Sequence, residues 1–339
     1  MMLNFCTLFD SYYLDKGIAL YRSLEQVSDD FTLYIFCFDD KSFDILQEME
    51  FAHAVILHHS CFETPELLEK KAERSKAEYC WTCTSVTIEY VLDNYPVDSC
   101  TYLDSDLYFY RDPQVLFDEI NGAGADVTIV EHRFKDDAYG RKLEQRNGKY
   151  CVEFNYFRNN DNARRVLSWW KEKCLEWCYD IPEPDRMGDQ KYLNQFTTLF
   201  SGVHELQHLG GGTAPWNLEQ YGIVSRDGTN IVMSDAAGKK FPLVFYHFQN
   251  IRYLPGHRVN LKSQTHDKKL KYAIYIPYLM EIEDIRKQLI ERYGMDFSPK
   301  KLVRSSNPIV GFLQRHFAAF KVRMASDVVN LEKLPDYLR

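Results

Sequence analysis

Basic charge is in deficit along this chain of 339 residues: 41 Lys and Arg face 49 Asp and Glu, for a formal net charge of −8. Bulk attraction to nucleic acid is therefore excluded, and no aromatic-plus-basic recognition motif offsets the deficit. Long apolar runs are missing as well. No stretch approaches the roughly 18 uninterrupted apolar residues that a membrane-spanning helix needs. The first ten residues, Met1-Met2-Leu3-Asn4-Phe5-Cys6-Thr7-Leu8-Phe9-Asp10, lack a basic region and a small-residue cleavage site, so they read as a first strand retained in the mature protein. The nine cysteines are odd in number and scattered through apolar runs. That usage suits reduced thiols and a reducing compartment better than a disulfide framework. Cys80-Trp81-Thr82-Cys83 has zinc-like spacing but no second pair at a convincing distance. Gly210-Gly211-Gly212 is not followed by Gly-Lys-Ser/Thr, and neither G-x-S-x-G nor G-x-G-x-x-G occurs. Phosphate-loop enzymes, serine hydrolases and nicotinamide enzymes are disfavoured accordingly.

With 45% hydrophobic residues the chain can bury a sizeable core. Its first third alternates strand-like runs with helical patterns: strands over Leu3–Phe9, Thr32–Phe38, Ala54–His58 and Cys100–Leu103, and helices over Leu14–Gln26, Phe43–Glu50, Pro65–Ala77 and Cys80–Asp93. Such alternation predicts βαβ units and a mostly parallel sheet covered by helices. Further strands are expected over Ala125–Glu131, Tyr150–Phe157 and Phe241–Phe248. Helices are expected over Ala163–Cys178, with Trp169, Trp170 and Trp177 in the core, and over a short stretch opening at Gly188.

The run Thr101–Tyr110 carries Asp104-Ser105-Asp106 at the end of an apolar strand. In open α/β sheets ligands bind beyond the carboxyl ends of strands, and paired carboxylates there can hold Mg²⁺ or Mn²⁺ against substrate phosphates. Taken alone the pair also fits a polar turn after a strand.

Four segments in order resemble the GT-A-fold, nucleotide-sugar-dependent glycosyltransferases, most of all the glycogenin and bacterial lipopolysaccharide galactosyltransferase-like (family 8-like) group. They are Phe9-Asp10-Ser11-Tyr12, Leu103-Asp104-Ser105-Asp106, Gly188-Asp189-Gln190 and Phe245-Tyr246-His247-Phe248. The resemblance spans residues 3 to 250 and implies a Rossmann-like, mixed, mostly parallel sheet flanked by helices. It implies that Asp10, Ser11 and Tyr12 bind the uracil base and ribose, and that Asp104, Asp106 and His247 hold Mn²⁺ (or Mg²⁺), with Ser105 between them at the donor. Asp189 and Gln190 would face sugar and acceptor as the catalytic pair. Asn155, Trp216, Asn217 and Arg252 are further substrate-side candidates. Structural alternatives stand beside several of these: His247 as a core histidine, Tyr12 and Tyr13 as helix-entry packing, Asp189 as a helix cap and Trp216 as a buried ring. The implied activity is transfer of a hexose from a UDP-sugar donor to a glycan or glycolipid acceptor, with retention, in bacterial surface polysaccharide synthesis. Two rivals remain at this stage: a sugar-nucleotide nucleotidyltransferase and a non-catalytic sugar-nucleotide or glycan-binding protein on the same fold.

The chain departs from that group in places. No Lys or Arg occurs from Tyr79 to Asp93, where the group places an Arg against the diphosphate. Cys151-Val152-Glu153-Phe154-Asn155 replaces its Asn-Ala-Gly strand, adding Glu153, a carboxylate without an assigned role. The catalytic domain is expected over 1–277, with a helical, basic appendage over 278–339. Helices are expected over Tyr278–Arg292 and Pro308–Ala325, and Lys300 to Ser326 holds six basic and no acidic residues. This tail would pack on its own domain or in a homodimer, or dock through 300–325 on an anionic membrane surface. The expected location is cytoplasmic, at the inner face of the plasma membrane if the tail docks there.

Overall fold

The computed structural model describes residues 2–298 and 327–338. Its strands and helices follow the alternation in the sequence. The first four strands are β1 (Leu3–Phe9), β2 (Phe31–Cys37), β3 (Ala54–His58) and β4 (Ser99–Leu103), and the helices between them are α1 (Leu14–Val27), α2 (Asp40–Glu48), α3 (Pro65–Glu73) and α4 (Lys76–Asn94). There follow β5 (Leu107–Phe109), α5 (Gln114–Gly122), β6 (Val127–Glu131), α6 (Ala138–Asn147), β7 (Tyr150–Arg158), α7 (Asp161–Glu176), α8 (Phe196–Leu199) and β8 (Val203–Glu205). The remainder holds β9 (Gly222–Asp227), β10 (Asn230–Ser234), β11 (Lys240–Pro242), β12 (Phe245–His247), β13 (Arg252–Leu254), β14 (Arg258–Asn260), α9 (Lys268–Tyr293) and β15 (Val328–Asn330).

The central seven-stranded sheet has the order β3-β2-β1-β4-β7-β6-β8. All neighbours are parallel except the two pairs that β7 makes. The mixed, mostly parallel, helix-flanked sheet read from the sequence is thus present. Each face carries its own core. On one side α1 and α9 cover Phe5, Phe9, Leu33 and Phe154; on the other α4 and α7 cover Cys6, Phe36, Tyr102 and Phe157. Local chemistry sets the helix starts. Ser75 and Glu78 close a reciprocal capping box at the head of α4, worth about 1 kcal/mol, and Asp39 caps α2 through the Ser42 amide at 2.8 Å.

The long apolar run Phe241–Phe248 is not one strand. It divides into β11, which pairs with β10, and β12, which pairs with β5. Pro242 offers no N–H to prolong a ladder, and the chain changes partner there, with the Val244 carbonyl accepting from the Tyr110 amide at 2.8 Å. The helix expected over Tyr278–Arg292 begins ten residues earlier, at Lys268, capped by Asp267. It lies along β12 and α1: the Tyr278 ring stacks on Phe248 at 3.7 Å, Tyr246 and Tyr275 share a hydroxyl bond of 2.8 Å, and Arg286 pairs with Asp15 at 2.6 Å. Short elements with little apolar periodicity, α5, α6 and the β9–β10 hairpin, had no counterpart in the sequence reading. The helix expected over Pro308–Ala325 lies outside the described residues. Among the described residues no helix is long and apolar enough to cross a membrane.

Candidate functional site

Strand order fixes where a ligand can enter. From β1 the chain winds outward to β2 and β3, then returns to place β4 on the other side of β1. The loops after β1 and β4 therefore diverge and leave a crevice at the sheet's carboxyl edge, where open α/β sheets bind ligands. Asp10–Tyr13 forms one wall and Asp104–Asp106 the other.

Three side chains converge beside that crevice. The β5–β12 ribbon sets His247 opposite Leu107, and the Phe248 amide bonds the Asp106 carbonyl at 2.9 Å, which aims the ring at the turn after β4. His247 Nε2 stands 3.0 Å from Asp106 Oδ1 and 3.6 Å from Asp104 Oδ2. The ligand atoms of Asp104, Asp106 and His247 all lie within 4.8 Å of one another. Because β7 runs antiparallel beside β4, Glu153 falls next to Asp104: its carbonyl accepts from the Asp104 amide at 3.1 Å, and its Oε2 lies 2.7 Å from His247 Nδ1. This gives Glu153 the role that sequence alone left open, holding the ring from behind. Gly212 makes room for it. At φ +83°, a Cβ on Gly212 would stand 2.5 Å from Val130 and 3.1 Å from Glu153 Oε1.

Charge in the cluster is out of balance. Burial raises Asp104 well above the usual carboxylate range; His247 opposes this, and the carboxylates of Asp106, Asp189 and Glu153 reinforce it. Burial would raise Asp106 too, yet His247 and Lys16 pull it down to about 2. Burial disfavours a charged His247, but Asp106 and Glu153 hold it well above its ordinary value. The ring, with one N–H toward Asp106 and the other toward Glu153, acts as the local cation. Glu153 Oε1 has no hydrogen-bond partner among the described residues, and Asp104 keeps 29% of its side-chain surface open. With the Nε2 proton displaced, His247 joins Asp104 and Asp106 as a donor set for a divalent cation, and the mixed oxygen and nitrogen donors suit Mn²⁺, with Mg²⁺ next.

The other wall differs from expectation in detail. Asp10 is half-buried and pairs with Lys76 at 3.3 Å. Ser11 gives its hydroxyl to Asp39 at 2.7 Å and so ties the β1 loop to the head of α2. Tyr12 is 63% exposed and tilts against Tyr13. Lys16, which sequence reasoning missed, sits 3.7 Å over the Tyr13 ring and 3.9 Å from Asp106 Oδ2. In the first turn of α1, it supplies a positive charge beside Asp106 that the Tyr79–Asp93 part of α4 lacks.

Asp189 is buried, accepts from Thr84 at 2.9 Å, and is raised to about 7 by burial, which the Thr84 bond opposes. Gln190 donates its amide to the Asn147 carbonyl at 2.8 Å, a bond that holds α6. Asn155 is fully buried, and neither its amide nitrogen nor its oxygen has a partner among the described residues. Trp216 packs edge-on against the His247 ring at 5.3 Å and donates Nε1–H to the His132 carbonyl. It braces the cluster. Asn217 is a correction: with no exposed surface, it accepts from the Ala214 amide and donates to the His132 and Gly212 carbonyls, so it clamps the Trp216 loop instead of meeting substrate. Arg252 is likewise not brought to the cluster; it is exposed at the start of β13, where its backbone pairs with Asn260 in a separate sheet.

No protein-family model matches the chain. Among solved structures it is similar to the galactosyltransferase LgtC in complex with donor and acceptor sugar analogs (13% identity, TM-score 0.46, covering 73% of this chain and 87% of that one). It is also similar to the glycosyltransferase GlyE of Streptococcus pneumoniae TIGR4 (13% identity, TM-score 0.47, covering 90% and 67%). Among curated proteins, the uncharacterized YfnD of Bacillus subtilis (strain 168) is 27% identical over 316 residues, 92% of this chain and 98% of its own length. The uncharacterized YfnF of the same organism is 32% identical over 271 residues, 79% of this chain and 86% of YfnF. At that identity and coverage, the chain belongs to the family of Bacillus subtilis YfnF.

Proposed function

We propose that this protein is a metal-dependent glycosyltransferase that moves a hexose from a UDP-sugar to a glycan or glycolipid acceptor, in bacterial surface polysaccharide synthesis. The observation that carries the reading is the convergence of Asp104, Asp106 and His247 beside the β1/β4 crevice, backed by the buried Glu153. A divalent cation held by those three residues would neutralise the charge that builds on a departing diphosphate. The chain's own groups supply the rest. Tyr12 offers an exposed ring to a base, Asp10 and Ser11 offer polar atoms to base edge and ribose, and Lys16 places an ammonium where the diphosphate would lie.

Retention is the stereochemistry we propose. An inverting enzyme needs a free base at the acceptor hydroxyl. Asp189 is 4% exposed and bound by Thr84, and Glu153 is fully buried and bound to His247. Neither stands ready for that task.

The test is a panel of UDP-hexoses incubated with the protein and Mn²⁺, scored for UDP release with and without oligosaccharide or glycolipid acceptors. Acceptor-stimulated release from one donor is the expected result, with the anomeric configuration of the product read by NMR. Nucleotide binding without turnover for any donor would favour the binding-protein alternative, and an inverted product would overturn retention.

A further inference from the structure

A second histidine and carboxylate cluster lies at the same edge of the sheet, on the outermost strand. His58 ends β3, His59 follows it, and Asp40 opens α2. Both rings turn Nε2 to the same atom, Asp40 Oδ1, at 2.9 Å from His58 and 3.0 Å from His59. The ring centroids are 4.0 Å apart, and the three ligand atoms lie within 4.8 Å of one another.

The far side of each ring is engaged as well. His58 Nδ1 meets the Ser60 hydroxyl at 2.8 Å, and His59 Nδ1 meets Glu63 Oε2 at 3.0 Å. Glu63 is itself fixed by Lys71 at 2.6 Å and the Tyr79 hydroxyl at 2.9 Å. His59 therefore stands between two carboxylates. A neutral imidazole has one N–H and can satisfy only one of them. When the ring gives Nδ1–H to Glu63, its Nε2 lone pair lies on the Asp40 side, where a cation can be shared with the carboxylate. A carboxylate behind a ligating histidine also fixes its tautomer and raises its basicity.

We propose that Asp40, His58 and His59 form a Zn²⁺ site separate from the Asp104-Asp106-His247 cluster, oriented by Glu63. Two imidazoles and one carboxylate suit Zn²⁺, and three protein ligands leave a fourth position to water. The ion links the edge strand β3 to the head of α2. Asp40 keeps 79% of its side-chain surface, so the site is open to solvent and the ion can enter without unfolding. The inference does not depend on the nucleotide-sugar reading.

The test uses the full-length chain and two probes, Zn²⁺ alone by calorimetry and Co²⁺ alone by its visible ligand-field absorption. In an Asp104→Asn/Asp106→Asn variant, which removes the other cluster, one Zn²⁺ should bind and Co²⁺ should give a tetrahedral spectrum. His58→Gln and His59→Gln in that background should abolish both signals. Glu63→Gln, which keeps all three ligands, should weaken binding about 10–100-fold. Circular dichroism checks that these variants fold. Absence of binding, binding indifferent to both histidines, or binding lost with Asp104 and Asp106 would each overturn the site.

Discussion

Two clusters of histidine facing carboxylate sit on one sheet edge, and they differ in burial and in charge ratio. At the β4 and β12 ends, one buried ring, His247, answers three carboxylates, Asp104, Asp106 and Glu153. At the β3 end, two half-exposed rings, His58 and His59, answer Asp40 and Glu63. The same residue types thus make different sites. In the buried cluster the anions are hard to neutralise without a cation, which favours an oxygen-rich ion that can also meet phosphate. In the outer cluster solvent screens Asp40 and nitrogen donors dominate, which favours Zn²⁺.

Substitutions can break that contrast. Asp106→Ala should reduce transfer by about 10²–10³-fold, the size of effect expected when one group stabilising transition-state charge is removed. Asp40→Ala should leave the transfer rate unchanged. Equal losses in a kcat comparison would mean the two clusters act as one. Next in size, Glu153→Gln should weaken Mn²⁺ binding about 10–100-fold while Glu63→Gln leaves it alone, as read by titration of Mn²⁺-dependent UDP release.

Asp189 gives a pH test. Burial holds its carboxyl at about 7 in the folded chain against 3.8 for an ordinary Asp. The folded state therefore binds a proton that the unfolded state releases, and stability falls as pH rises from about 4 to about 7. Thermal melts across that window should fall less steeply with rising pH for Asp189→Asn than for wild type; parallel curves would contradict the assignment. The smallest effect is expected from Trp216→Leu, which removes an edge-on contact worth about 0.5–1.5 kcal/mol from the buried cluster. It should lower Mn²⁺ affinity several-fold and leave Zn²⁺ binding unchanged.

The first four strands were legible because apolar alternation and turn chemistry act locally, and β1 and β3 match the sequence reading residue for residue. Asp104 and Asp106 were legible as a pair, since they end a strand. The approach of His247 was not readable from its own segment; it depends on β12 leaving β11 at Pro242 to pair with β5. Glu153 and Lys16 were obscure for the same reason, being brought to the cluster by the antiparallel β7 and the first turn of α1. Asn217 misled because an amide in a glycine-rich turn looks available to ligand, whereas two backbone groups of that turn and the His132 carbonyl consume it.

Calorimetric titration with UDP, in the presence and absence of Mn²⁺, on wild type, Asp106→Ala and His247→Ala tests the central claim most directly. The account predicts Mn²⁺-dependent binding in the wild type that both substitutions abolish. Binding indifferent to Mn²⁺ and to both residues, or no binding at all, would contradict it and return Asp104-Ser105-Asp106 to a polar turn after a strand.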